Sequence, residues 1–250
     1  MGVVVLAAGS QRATGVEVRF VEDCGGERRG VLSQMCHVRF EAVRPVRAFP
    51  SFAGQRSFSG GWWCATTEAH VGFESWLERD HVMLLDFDPL VVGLSSQPFW
   101  LSWPAGGRRR RHAPDFFARL ADGSGVVVDV RPDERIGPQD AEVFAVTSEA
   151  CESVGWQYRR VGAVDPVLVA NVRWLAAYRH RRCLNLALAN ALGEVFAVSR
   201  PLADGVAAVG DRLVVLPTLF HLLWTGVLGA DLRTSPLGGA TIIATARRAS

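Results

Sequence analysis

Two acids and their neighbours carry most of the chemistry that can be read from this chain of 250 residues. Arg111-His112-Ala113-Pro114-Asp115-Phe116 is followed, across a glycine-containing turn, by Val126-Val127-Val128-Asp129-Val130-Arg131. Read as a hairpin centred near Gly123, the stretch sets Asp115 opposite Arg131 and Phe117 opposite Asp129. Side chains alternate along a strand, so Asp115, Asp129 and Arg131 share one face. Two carboxylates in diagonal positions repel each other, and one takes up a proton unless a cation intervenes. A hard divalent ion relieves that repulsion, and Mg²⁺ takes carboxylate oxygens together with water and phosphate. Such an ion activates water and stabilises charge on a phosphate under attack. A third acid is available upstream, where Glu74 and Glu78 lie four apart on one helix face beside Ser75.

The elements that must hold these residues follow from apolar period and turn signals. Residues 72–88 predict a helix, with Leu77, Leu84 and Leu85 at helical spacing and Asp88-Pro89 ending it. Residues 90–94, 99–103, 115–120, 126–130 and 156–161 predict strands, and residues 139–154 a second helix closed by Gly155. Gly106-Gly107 with the arginines that follow reads as a basic turn. Upstream, residues 1–60 read as an N-terminal arm and small β-layer, with strand-like runs at 16–21 and 36–43 and a connector at 48–61. Downstream, 167–178, 184–192 and 218–226 read as helices, and 211–216, 230–232 and 240–244 as short strands. The whole is an α/β chain, with the acid-bearing stretch over 61–165 and a small helical, winged-helix-like region over 166–250.

That middle stretch resembles a known family. P-D-F, a hydrophobic strand ending D-x-(basic), and an upstream helix glutamate make up the PD-(D/E)XK nuclease pattern. Phe73-Glu74-Ser75-Trp76-Leu77-Glu78-Arg79-Asp80, Phe87-Asp88-Pro89, Gln97-Pro98, Ala113-Pro114-Asp115-Phe116 and Asp129-Val130-Arg131-Pro132 together look like TnsA-type transposon endonucleases. The resemblance covers about residues 60–165. It implies a restriction-endonuclease-like mixed sheet flanked by helices, and an endonuclease that cuts the 5′ strand ends of a transposon with Mg²⁺ or Mn²⁺. It places Glu78 as the helix glutamate, with Glu74 the less favoured choice, Asp115 as the P-D aspartate and Asp129 in the acid-or-glutamine position. Val130 then offers its backbone carbonyl to the metal, and Arg131 takes the lysine position. Ser75 and Gln97 are secondary candidates, and Arg108, Arg109, Arg110 and Arg111 are candidates for DNA phosphate contact. The implied partners are transposon-end DNA, a DDE-type transposase, and an AAA+ ATPase regulator docking through 166–250. The implied setting is the bacterial cytoplasm, on the nucleoid. Arg131 departs from the pattern, because arginine does not shed its proton and so is not a general base. That departure keeps a rival open: a catalytically inactive assembly or DNA-binding subunit. A restriction, repair or defence nuclease of the same fold is the other.

Composition narrows the field further. Apolar residues are 49% and charged residues 21%, as in globular domains rather than disordered chains. All 27 positive charges are arginine, and the net charge of +2 excludes a polybasic coat protein. The charge is uneven, however: residues 166–250 hold nine arginines and four acids. Five scattered cysteines without a C-x-x-C pair point away from a disulfide framework or structural zinc. Residues 1–10 lack a basic start and are not expected to be a leader. Residues 213–230 carry no charge but include Pro217 and His221, and read as core rather than membrane span. The run Val5-Leu6-Ala7-Ala8-Gly9-Ser10-Gln11-Arg12 resembles a nucleotidyltransferase phosphate loop, yet no helix or metal motif follows it.

Overall fold

A computed structural model describes residues 15–47 and 58–246. These fall into two compact units: residues 15–85 with 90–163, and residues 86–89 with 164–246.

The first unit is built on two four-stranded sheets. In chain order its strands are β1 (Glu17–Val21), β2 (Glu27–Val31), β3 (Gly60–Cys64), β4 (Ala69–Phe73), β5 (Val91–Ser96), β6 (Trp100–Ala105), β7 (Arg108–His112), β8 (Phe116–Leu120), β9 (Gly125–Val130) and β10 (Gln157–Val161). Its helices are the single turn α1 (Leu32–Met35), α2 (Trp76–Phe87), whose last two residues belong to the second unit, and α3 (Pro138–Ser153). One sheet runs β2-β1-β6-β7 and is antiparallel throughout. The other runs β10-β9-β8-β5, with β10 parallel to β9. β3 and β4 form a separate hairpin.

The second sheet is covered on both faces, which is why β9 reads as nearly unbroken valine. On one face Phe117 and Val127 pack with Val18, Phe20 and Leu101 of the first sheet, and with Val146 and Ala150 of α3. Phe40 sits at the centre of this layer, edge-on to Phe20, Phe99, Phe117 and Trp156. On the other face Phe116, Ala118, Val126 and Val128 pack with Val82 and Leu85 of α2 and Val71 and Phe73 of β4. Residues 15–47 are therefore part of the main core rather than a layer apart.

Several local expectations need correction. Residues 36–43 form no strand but a turn and a short 3-10 segment at Phe40–Ala42, which buries Phe40. The helix expected from residue 72 starts at Trp76, because Gly72 and Phe73 pair in the β3–β4 hairpin. Arg108, Arg109, Arg110 and Arg111 lie in a strand; the turn is confined to Gly106 and Gly107, both at positive φ. Residues 1–14 and 48–57, with the phosphate-loop-like run and most of the expected connector, lie outside the described residues.

The second unit comprises α4 (Pro166–Ala176), α5 (Leu186–Val195), β11 (Arg200–Pro201), α6 (Leu202–Val209), α7 (Arg212–Trp224), β12 (Leu228–Ala230) and β13 (Ile242–Thr245). Its three strands pair in the order β11-β13-β12. α6 has no counterpart in the sequence reading, because Gly205 and a run of small residues hide its period. The glycine is there for approach: a Cβ on it would stand 2.1 Å from the Phe196 ring. The strand expected at 211–216 is the start of α7, capped by Asp211, whose side chain accepts from the Leu213 amide. Pro217 does not break this helix: the carbonyl it leaves without its usual donor is that of Leu213, an exposed residue in the first turn. Buried Asn171 pins the β12–β13 loop, donating to Leu232 O at 3.0 Å and Ser235 O at 2.9 Å and accepting from Leu237 N at 2.8 Å. No helix among the described residues is long and apolar enough to cross a membrane.

Candidate active site

The β8–β9 hairpin sets the geometry. Its pairs are Phe116↔Val128, Phe117↔Val127, Ala118↔Val126 and Arg119↔Gly125. Continued by one step, this register sets Asp115 across from Asp129, not from Arg131. The expected register was off by two because the loop is centred on Asp122. Leu120 N–H donates to Ser124 O across three loop residues, and Gly123 takes the left-handed position at φ 87°. A shift of two keeps parity, so both aspartates stay on the face that carries Phe117 and Val127.

Asp115 and Asp129 open into a cavity of about 390 Å³ in the first unit. Its wall also holds Glu74, Glu78, Val130 and Arg131, together with Arg47, Trp100, Arg111, His112 and Asp140. All four residues expected to be catalytic, Glu78, Asp115, Asp129 and Arg131, are thus brought to one cavity. Asp129 is 2% exposed. It accepts from His112 Nε2 at 2.9 Å to each oxygen and from Tyr158 Oη at 2.8 Å. Burial and the neighbouring Asp129 push the Tyr158 phenol well up, so it stays a donor. Asp115 accepts from Val130 N–H at 2.7 Å. Burial, then Asp129, then Glu78 raise its carboxyl well above the usual range, against the pull of the Val130 amide and Arg47.

Glu78 and Ser75 together cap α2. Ser75 Oγ accepts from Glu78 N–H at 3.1 Å and donates to Glu78 Oε1 at 2.9 Å, while Glu74 N–H donates to Glu78 Oε2 at 2.6 Å. This is a capping box, legible in the sequence as S-x-x-E and shifted by one residue at its return bond. Burial raises the Glu78 carboxyl and these donors moderate the rise. Glu74 is instead held by Arg47 at 2.7 Å.

Arg131 meets Asp140 on α3 at 3.3 Å, its side chain half-exposed at the cavity wall. Gln97 stays out of the cavity and acts through its backbone. Its N–H donates to Asp115 O at 2.9 Å, and its own carbonyl accepts from Val46 N. It is buried at φ 45°, a left-handed position that strains a glutamine backbone, and its Oε1 has no hydrogen-bond partner among the described residues. Of the four consecutive arginines, Arg109 pairs with Glu17 at 2.7 Å and Arg110 with Glu142 at 3.1 Å. Arg111 stacks on Trp100, 4.6 Å from the ring centre.

Sequence reasoning missed His112 and Arg47, which line the cavity, and Tyr158, which bonds Asp129 behind it. His112 directly follows four arginines, and in the sequence that basic run masks it. The one usable signal was alternation: once 108–112 is taken as a strand, His112 falls with Arg110 on the side facing the core. Nothing in the sequence pairs Tyr158 or Arg47 with the aspartates.

Among the described residues, no three His, Cys, Asp or Glu side chains stand close enough to grip one ion as they lie. Two carboxylates side by side, one with its charge disfavoured, are nonetheless the chemistry that such an ion relieves, and Mg²⁺ needs only one or two carboxylates plus water. Asp115 keeps one oxygen without a hydrogen-bond partner among the described residues. The residues therefore fit an ion held mainly by Asp115 and Asp129, with Glu78 engaged in capping. No protein-family model matches the chain, and no characterised protein sequence matches it.

Proposed function

We propose that the first unit is the core of a metal-dependent DNA endonuclease that hydrolyses phosphodiester bonds. The observation that carries this reading is the meeting of Asp115, Asp129 and Glu78 on one cavity, with the Asp115 charge disfavoured by burial and by the other two acids. Asp115 and Asp129 would hold Mg²⁺ or Mn²⁺ with the Val130 carbonyl, and the bound ion would supply an activated water and charge stabilisation at phosphorus. His112 and Tyr158 fix the Asp129 carboxylate so that it need not reorganise. Glu78 holds the start of α2 against the cavity and adds negative charge. Arg131 is a permanent cation and serves to orient phosphate, not to accept a proton. The two sheets with flanking helices support the restriction-endonuclease-like reading. The order α5-β11-α6-α7-β12-β13 supports a winged-helix-like second unit. From the resemblance, the biological task is cutting transposon ends beside a DDE-type transposase and an AAA+ regulator, the latter on 166–250.

One specific observation favours the rival of an inactive assembly subunit: Arg131 stands at the lysine position and is tied to Asp140. A supercoiled-plasmid nicking assay with Mg²⁺ or Mn²⁺, with the partner transposase present, decides between them. Nicking by the wild type that falls at least about a hundredfold in Asp115→Asn supports the nuclease. Equal rates sink it. Nicking that is absent until Arg131→Lys is introduced supports the rival.

A further inference from the structure

The outer face of the β2-β1-β6-β7 sheet is an arginine surface that runs into the acid cavity. The register fixes its rows. Arg29 lies across from Arg19, and Arg19 across from Trp100. In the next row Glu17 lies across from Ser102, and Ser102 across from Arg111. Alternation adds Arg109 to the same face, while Val18, Phe20 and Leu101 point into the core. A groove of about 430 Å³ follows these rows, lined by Arg19, Arg29, Trp100, Arg109 and Arg111. Trp100 and Arg111 also line the acid cavity, so the two concavities share a wall.

Charge on this face is not balanced. Arg19 pairs with Glu27 at 3.2 Å, and Glu17 is shared between Arg29 and Arg109. Arg111 has no carboxylate partner among the described residues and rests on the Trp100 ring. Four arginines thus face two glutamates. Placing Arg19 directly opposite Arg29 opposes folding of the hairpin, since like charges across a strand pair repel. Exposed arginine–carboxylate pairs contribute little and open readily, so the same guanidinium groups are available to phosphates.

We infer that β1 and β2, which lie outside the stretch resembling any nuclease, form a DNA-backbone-binding surface that leads the duplex over Trp100 to the acid cavity. Arg19 and Arg29 contact phosphates on the side away from the aspartates. From β6 to β2 the surface spans two strand spacings, roughly 10 Å. The choice of polymer rests on the nuclease reading; the surface itself requires no hydrolysis.

The test is fluorescence anisotropy with the full chain and a labelled DNA duplex of about 20 base pairs, in EDTA, across a salt series. Each phosphate contact contributes about 0.9 to the slope of log K against log salt. The double variant Arg19→Ala/Arg29→Ala is therefore expected to reduce that slope by about 1.8, and to bind some sixtyfold more weakly at about 0.1 M salt relative to its behaviour at 1 M. Arg19→Lys/Arg29→Lys keeps the charges and is expected to keep the slope, which separates lost contacts from a damaged sheet. Arg39→Ala removes an exposed arginine from a loop and is the control. A double alanine variant that loses no more than Arg39→Ala, or a wild type without salt-dependent binding, overturns the inference. Loss of binding in the double variant alongside equal nicking by wild type and Asp115→Asn leaves the surface standing and removes the nuclease. The reverse pattern removes the surface alone.

Discussion

Asp115 holds an unfavourable charge that the fold tolerates. Its carboxyl is raised by burial and by two acidic neighbours. A raised folded value means that its contribution to stability is full below the unfolded value of about 3.9 and is lost as pH climbs through the folded value. Asp115→Asn keeps an acceptor for the Val130 amide and removes the charge. In urea melts at neutral pH it is expected to be more stable than the wild type by about 1 kcal/mol, or roughly 2–4 °C in melting temperature, with the gap closing toward pH 4. A gap that is constant with pH would show that the Asp115 charge is not disfavoured. Mg²⁺ is expected to raise the wild-type melting temperature and to leave Asp115→Asn nearly unmoved, because a ligand that binds only the folded form stabilises it.

At the scale of elements, two short turns decide where the acids go. Ser75→Ala removes the cap of α2 and one partner of Glu78; it is expected to lower stability by about 1 kcal/mol, measured by denaturant unfolding. Gly123→Ala meets no neighbour within 4 Å, so its expected loss of about 1 kcal/mol is backbone strain alone. Gly123→Asn should lose clearly less, since asparagine tolerates the left-handed region, and equal losses would mean that the loop conformation is not what Gly123 provides. The S-x-x-E and D-G-S patterns were both legible before the structure, but their consequences were not. The hairpin was recognised and its register missed by two, because turn residues identify a loop without fixing its length. α7 was split at Pro217, because a proline inside an apolar run reads as a helix boundary. The arginine run read as a turn because charge masks the alternation that sets Arg109 and Arg111 on one face and His112 on the other.

At the scale of the whole molecule, the chain divides near residue 163, and each unit keeps its own buried core. Leu219 is fully buried in the second unit. Leu219→Ala is expected to cost about 2–5 kcal/mol there. Calorimetry should show the loss in one transition, while the Mg²⁺-dependent stabilisation of the first unit persists. Loss of both together would mean that the two units unfold as one. The uneven charge of the sequence also changes meaning at this scale. The acid excess of residues 1–165 hides an arginine face on one sheet, because strand alternation sorts charges that composition averages.

What the sequence determined by itself was local and chemical. It gave the two aspartates on neighbouring strands, Glu78 in the first turn of a helix, the α/β character, and the glycine that closes the hairpin, while Glu74, expected on the same helix, precedes it. Each of these rests on interactions within a few residues, which spacing records. The convergence of Glu78 on the aspartates, the grip of His112 and Tyr158 on Asp129, the diversion of Arg131 to Asp140, and the joining of β1 and β2 to the β6–β7 edge were decided only by the tertiary structure. Those contacts link residues tens of positions apart, and which of many possible partners meet is set by packing two sheets and their helices around one aromatic core.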